Sequence, residues 1–121
     1  MQVMMLDEAA LRNRVFPDVV QDISARDSML YALGLGFGAD PLDEAELRFV
    51  YEKELAAVPT MAAVLGSPGF FWQDPALGID WVKIVHGEED IRWFRPLPPA
   101  GTVIGRNRVA SLTDKGPGKG V

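Results

Sequence analysis

The segment that most restricts how this chain can fold is Pro96-Leu97-Pro98-Pro99-Ala100-Gly101. Proline lacks an amide hydrogen and is excluded from the middle of a β-ladder. The segment therefore makes a turn, and it separates two β-prone stretches, 79–94 and 102–112. The spacing predicts that these stretches pair antiparallel across it. A second turn, Asp114-Lys115-Gly116-Pro117-Gly118-Lys119-Gly120, follows the second stretch. A third strand is expected beyond it, but the sequence ends at Val121, as though cut in mid-sheet.

Upstream the signals are helical. Ser24-Ala25-Arg26-Asp27 has the form of a capping box, in which the serine oxygen takes an orphan amide and Asp27 meets the positive end of the helix dipole. Met29, Leu30 and Leu33 follow at helical spacing and predict a helix over 25–33. It is expected to end at Gly34, Gly36 and Gly38, which tolerate positive φ. Leu47-Arg48-Phe49-Val50-Tyr51 reads as a strand. Pro59-Thr60-Met61-Ala62-Ala63-Val64-Leu65-Gly66 has proline at a helix start and glycine at its end. Every side chain between is small or apolar, so this helix is expected to be buried in the curve of a sheet. Residues 1–23 read as a leading arm broken at Phe16-Pro17-Asp18, and 24–121 as one domain.

Composition limits the chemistry. Of 121 residues, 48% are hydrophobic and 24% charged, the balance of a globular domain able to bury its own core. Without cysteine there is no disulfide, thiolate nucleophile or cysteine zinc site, and the single histidine excludes multi-histidine metal sites. No run approaches the ~20 apolar residues of a membrane span. The N-terminus lacks the basic-then-apolar pattern of a secretory signal, so no membrane is expected as a partner. Residues 1–82 carry five basic and thirteen acidic side chains, whereas 83–121 carry seven basic and four acidic. An acidic domain is a poor general nucleic-acid binder, so no nucleic-acid partner is expected. Its basic end suits a small anion such as a nucleotide-like phosphate.

Gly34-Leu35-Gly36-Phe37-Gly38-Ala39 lacks the preceding strand and following helix that a dinucleotide loop needs, and reads as a helix stop. No G-x-S-x-G elbow exposes a nucleophile. Glu88, Glu89 and Asp90 would alternate faces on a strand rather than converge as an acid–base pair. His86-Gly87 stands out, because a glycine there lets the backbone approach a ligand or form a bulge.

Six blocks occur in order: Tyr31-Ala32-Leu33-Gly34-Leu35-Gly36, Phe49-Val50-Tyr51-Glu52, Val58-Pro59-Thr60, Val85-His86-Gly87-Glu88, Arg95-Pro96-Leu97-Pro98 and Asp114-Lys115-Gly116. Together, over residues 17–121, they resemble the N-terminal half of type 2 enoyl-CoA hydratases, the MaoC-like dehydratases. The resemblance implies an α+β hot-dog fold: one incomplete half of a double hot-dog, with an antiparallel sheet around a short buried helix. It implies reversible hydration of a trans-2-enoyl-CoA to the (3R)-3-hydroxyacyl-CoA. The family's catalytic Asp and His lie in a second half, in an Asp-x-Asn-x-x-His motif that this sequence lacks, so no catalytic residue is assigned. Substrate-binding contacts are implied for His86, Gly87 and Lys115, and Met61, Val64 and Phe70 are candidates for an acyl tunnel. No metal and no cofactor is implied; the CoA thioester enters as substrate. The implied partners are acyl-CoA, a C-terminal hydratase half in cis or in trans, and a second copy in a homodimer. The implied location is cytoplasmic or peroxisomal. Two alternatives stay open: a non-catalytic acyl-CoA or acyl-carrier binding module, and a structural domain that pairs through its sheet edge.

Overall fold

Asp7 accepts the Ala10 amide at 2.9 Å and opens a short helix, α1 (Glu8–Arg12), in the computed structural model, which describes residues 5–121. The chain divides into two compact units. One comprises Met1–Asp18, Pro68–Glu88 and Arg106–Val121; the other comprises Val19–Ser67 and Glu89–Gly105.

In the first unit, α1 lies against the 3-10 turn Pro75–Leu77, and the Asp7 amide donates to the Leu77 carbonyl at 2.9 Å. Leu11 and Leu77 are its buried apolar side chains among the described residues. Arg14 Nη1 donates to Asp74 Oδ2 at 2.7 Å, and its guanidinium lies 5.5 Å and 5.4 Å from the ring centroids of Phe16 and Phe71. These contacts fasten the N-terminal segment to the loop around residue 74.

The second unit holds the sheet. β1 (Val19–Ile23) and β2 (Gly101–Gly105) pair antiparallel, with Val20 opposite Ile104 and Asp22 opposite Thr102. Strand alternation sorts the side chains: Ile23 is buried, Gln21 and Val103 half-buried, while Val20 and Ile104 stay exposed. α2 (Ala25–Gly34) follows β1 directly, started by the expected capping box, in which Ser24 and Asp27 each accept the other's backbone amide. Ala32, Ala57, Val58 and Met61 join Ile23 in the core of this unit.

The structure corrects several expectations. Residues 47–51 are not a strand. Asp43 accepts the Ala45 and Glu46 amides at 3.0 and 3.2 Å and starts a further helix, α3 (Glu44–Leu47). The amides of Phe49, Val50 and Tyr51 then turn back onto the carbonyls of Glu46 and Leu47. A local cap thus overrides the β-propensity of Phe-Val-Tyr. Residues 79–94 form no ladder; they contain a 3-10 turn, Trp81–Lys83, tied by an Asp80–Lys83 ion pair of 2.7 Å, and continue without strand pairing. The hairpin of 79–94 with 102–112 is therefore absent. β2 spans only 101–105 and pairs with β1, a strand in the stretch read as an arm; Met1 to Met4 of that arm lie outside the described residues.

Pro59–Val64 forms as tight 3-10 turns rather than an α-helix, and it is buried on one side only: Met61 is 4% exposed but Val64 56%. The class is small α+β, with one two-stranded antiparallel sheet among the described residues, and is compatible with a fragment of a hot-dog fold. No helix among the described residues is long and apolar enough to cross a membrane.

Candidate functional site

The 3-10 segment Pro59–Val64 is held by side chains from three places in the second unit. The Ser28 hydroxyl, fully buried on α2, donates to the Pro99 carbonyl at 2.6 Å and lies 3.7 Å from Met61 Sδ. Tyr31 and Thr60 share a hydroxyl–hydroxyl bond of 3.1 Å, and Trp93 Nε1 donates to the Pro59 carbonyl at 2.9 Å. The segment closes at Gly66, whose amide donates to Gln21 Oε1 on β1 at 2.9 Å.

Gly66 and Gly105 meet backbone to backbone. A Cβ on Gly66 would lie 2.6 Å from Gly105 Cα, and one on Gly105 would run into the Gly66 carbonyl. Gly66 also sits at φ +61°, so a side chain is excluded twice over. Beside this contact lies an apolar groove of about 200 Å³, lined by Ala62, Leu65, Leu97, Val103 and Ile104 together with the two glycines. No charged side chain lines it. Chemically it can take a short apolar segment and nothing ionic.

Of the tunnel candidates, Met61 packs beneath the segment and Val64 points outward; their neighbours Ala62 and Leu65 line the groove instead. Phe70 belongs to the other unit and packs edge-on against Trp81 at 5.8 Å.

His86, Gly87 and Lys115 all fall in the first unit. His86 Nε2 donates to the Glu88 carbonyl at 2.9 Å, which places the Nε2 proton. A Cβ built on Gly87 meets nothing within 4 Å, so its backbone is open on that side. Lys115 is exposed at the head of the expected second turn, where the Lys115 amide donates to the Gly120 carbonyl at 2.9 Å and the Gly116 amide to Asp114 Oδ1 at 2.8 Å. Gly116, Gly118 and Gly120 take φ of +97°, +73° and +82°, which explains why only glycines occupy them. Because 79–94 and 102–112 do not pair, no hairpin relates His86 to Lys115.

Sequence reasoning missed a second concavity, of about 620 Å³, lined by Glu44, Leu47, Arg48, Tyr51, Lys53 and Glu54. Reading 47–51 as a strand hid it. The Asp43–Glu46 spacing of a helix cap was the available signal. Among the described residues, no group of three or more acidic, histidine or cysteine side chains could hold a metal ion.

Residues 22–121 match the family model described as the MFE-2 hydratase 2 N-terminal domain. The chain belongs to this family. The chain is 36% identical over 114 residues to the peroxisomal enoyl-CoA hydratase 2 of Arabidopsis thaliana, a match covering 83% of this chain and 35% of that protein. It is 32% identical over 105 residues to the enoyl-CoA hydratase ChsH3 of Mycobacterium tuberculosis, covering 83% of this chain and 36% of that one. Against the mouse peroxisomal multifunctional enzyme type 2 it is 29% identical over 108 residues, covering 84% of this chain and 14% of that enzyme. The chain thus spans about a third of the two hydratases, and its relatives include parts of larger multifunctional enzymes.

Proposed function

We propose that this chain is the substrate-binding half of a (3R)-specific enoyl-CoA hydratase. The reaction is syn addition of water across a trans-2-enoyl thioester: hydroxide bonds to C3, a proton to C2, and elimination reverses both. The carboxylate and imidazole that activate the water belong to a second half, in cis or in trans, which would complete the double hot-dog with this one. A second copy of the assembled protein would form the homodimer.

The observation that carries this reading is the apolar groove beside the Gly66–Gly105 contact, on a chain whose family is a hydratase domain. An uncharged groove suits an acyl chain and offers no group that could activate water. His86, Gly87 and Lys115 are the proposed contacts to the CoA moiety: Gly87 through its open backbone and Lys115 as a point charge for phosphate. The substrate is the CoA thioester itself, and the reaction calls for no further cofactor. Of the two expected settings, cytoplasmic or peroxisomal, the peroxisomal relatives support the second.

The test is to incubate the 121-residue chain with a trans-2-enoyl-CoA and follow the ultraviolet absorbance of the enoyl thioester. Binding without turnover is the expected result, with affinity lowered in Lys115→Glu. Measurable hydration would overturn the assignment of catalysis to another half, and absence of binding would overturn the substrate-binding role.

A further inference from the structure

We infer that the concavity beside α3 is a nucleoside-phosphate site, with Arg48 and Lys53 on the phosphate and the Tyr51 ring against the base. Its volume of about 620 Å³ is in the range of small-ligand pockets, roughly 300–1,000 Å³. A bare inorganic anion would leave most of that space unfilled.

Arg48 and Lys53 share the rim with Glu44 and Glu54, yet among the described residues neither cation is in an ion pair. Elsewhere the same chain closes such pairs readily, as Arg14–Asp74 and Lys83–Asp80 at 2.7 Å show. Neither cation is therefore neutralised by a carboxylate. Arg48 is also held in place: its guanidinium lies 5.3 Å from the Phe49 ring centroid, and its carbonyl accepts the Ala56 amide at 2.9 Å, closing the loop from 48 to 56. Glu46, the remaining carboxylate of α3, is engaged elsewhere, accepting the Gly38 amide at 2.9 Å.

Tyr51 offers a flat surface. It is 51% exposed and, among the described residues, makes no ring–ring contact, whereas Phe37 and Phe49 nearby in sequence pair with each other at 5.0 Å. A ring without a ring partner beside two cations without carboxylate partners is the combination that takes a base and its phosphate together. Within the same rim Glu54 sits at φ +54°, the one described non-glycine residue in the left-handed region. The carboxylates of Glu44 and Glu54 disfavour a bare anion and can accept from ribose hydroxyls or an exocyclic amine. That makes a nucleoside phosphate a better occupant than phosphate alone. The site lies in a different unit from Lys115 and does not depend on it.

A nucleoside phosphate could be the adenosine end of a CoA thioester or a free adenine nucleotide. Calorimetric titration of the 121-residue chain with adenosine 3′,5′-bisphosphate, adenosine 5′-monophosphate and inorganic phosphate tests the site. One nucleotide should bind per chain, phosphate should not bind measurably, and Arg48→Gln, Lys53→Gln and Tyr51→Ala should each weaken nucleotide binding about tenfold. All three side chains are exposed, so circular dichroism should show the fold retained. Displacement of the bound nucleotide by CoA identifies the thioester as the source. Failure of CoA to displace it identifies a free nucleotide and leaves the hydratase reading untouched. The inference is overturned if neither nucleotide binds the unsubstituted chain, if both cation variants bind as well as it does, or if phosphate binds as tightly as the nucleotides.

Discussion

The hydroxyl of Ser28 donates to the carbonyl of Pro99 at 2.6 Å, a bond between residues 71 apart in sequence. Ser28 has no exposed surface, so its hydroxyl depends on protein partners. The bond joins α2 to the proline turn that precedes β2, the turn that contributes Leu97 to the apolar groove.

Ser28→Ala removes the donor and leaves the Pro99 carbonyl without its partner. A loss of about 1–3 kcal/mol is expected, read from the midpoint shift in urea denaturation at unchanged slope. A loss under 0.5 kcal/mol would mean that water replaces the bond.

The glycines separate into two kinds. Gly105→Ala puts a methyl group into the Gly66 carbonyl, where the opposing atoms are backbone and cannot rotate away. It should cost about 1–3 kcal/mol or more, measured by the same denaturation. Gly87→Ala meets open space and should leave stability within about 0.5 kcal/mol. Its effect should appear instead as weaker acyl-CoA binding in a direct titration; unchanged affinity would remove Gly87 from the proposed contacts.

Asp74 supplies a pH dependence. The hydrogen bond from Arg14, then that from the Ala76 amide, holds its carboxyl below the ordinary 3.8. In the window below that value the unfolded chain binds the proton that the folded chain refuses, so stability falls with falling pH. The contribution is fully present above about pH 4 and is lost as pH drops through the lowered value. Thermal melts between neutral and strongly acid pH should show a shallower acid decline in Asp74→Asn than in the unsubstituted chain. Parallel declines would show that the Arg14 clip adds nothing.

The cap of α2 gives a comparable test. Asp27 is held below 3.8 by the Ser24 amide first and the Ser24 hydroxyl second. Ser24→Ala should cost about 1 kcal/mol, and part of the acid sensitivity of melting should go with it.

The site was legible in uneven measure. The Asp114–Gly120 turn could be seen because its glycines and the Asp114 side chain act within a few residues of one another. The groove could not: Ala62, Leu65, Leu97 and Val103 come from separate segments, and only packing brings them together. The Arg48–Tyr51–Lys53 rim was concealed because Phe49-Val50-Tyr51 has the composition of a strand while its backbone follows the cap at Asp43.

By itself the sequence determined α2 and its capping box, the start at Pro59 and the stop at Gly66, and the hydratase-domain family. Each of those structural signals is a hydrogen bond or a φ preference acting over three or four residues, and so is written locally. Only the tertiary structure decided which strand β2 would meet. Its partner is β1, where Thr102 donates to Asp22 at 2.6 Å across 80 residues of chain. A short segment of Val, Ile and Thr can pair with any edge of matching alternation. The choice among edges is made by which pairing buries Ile23 and admits the Gly66–Gly105 contact, and that depends on the whole unit.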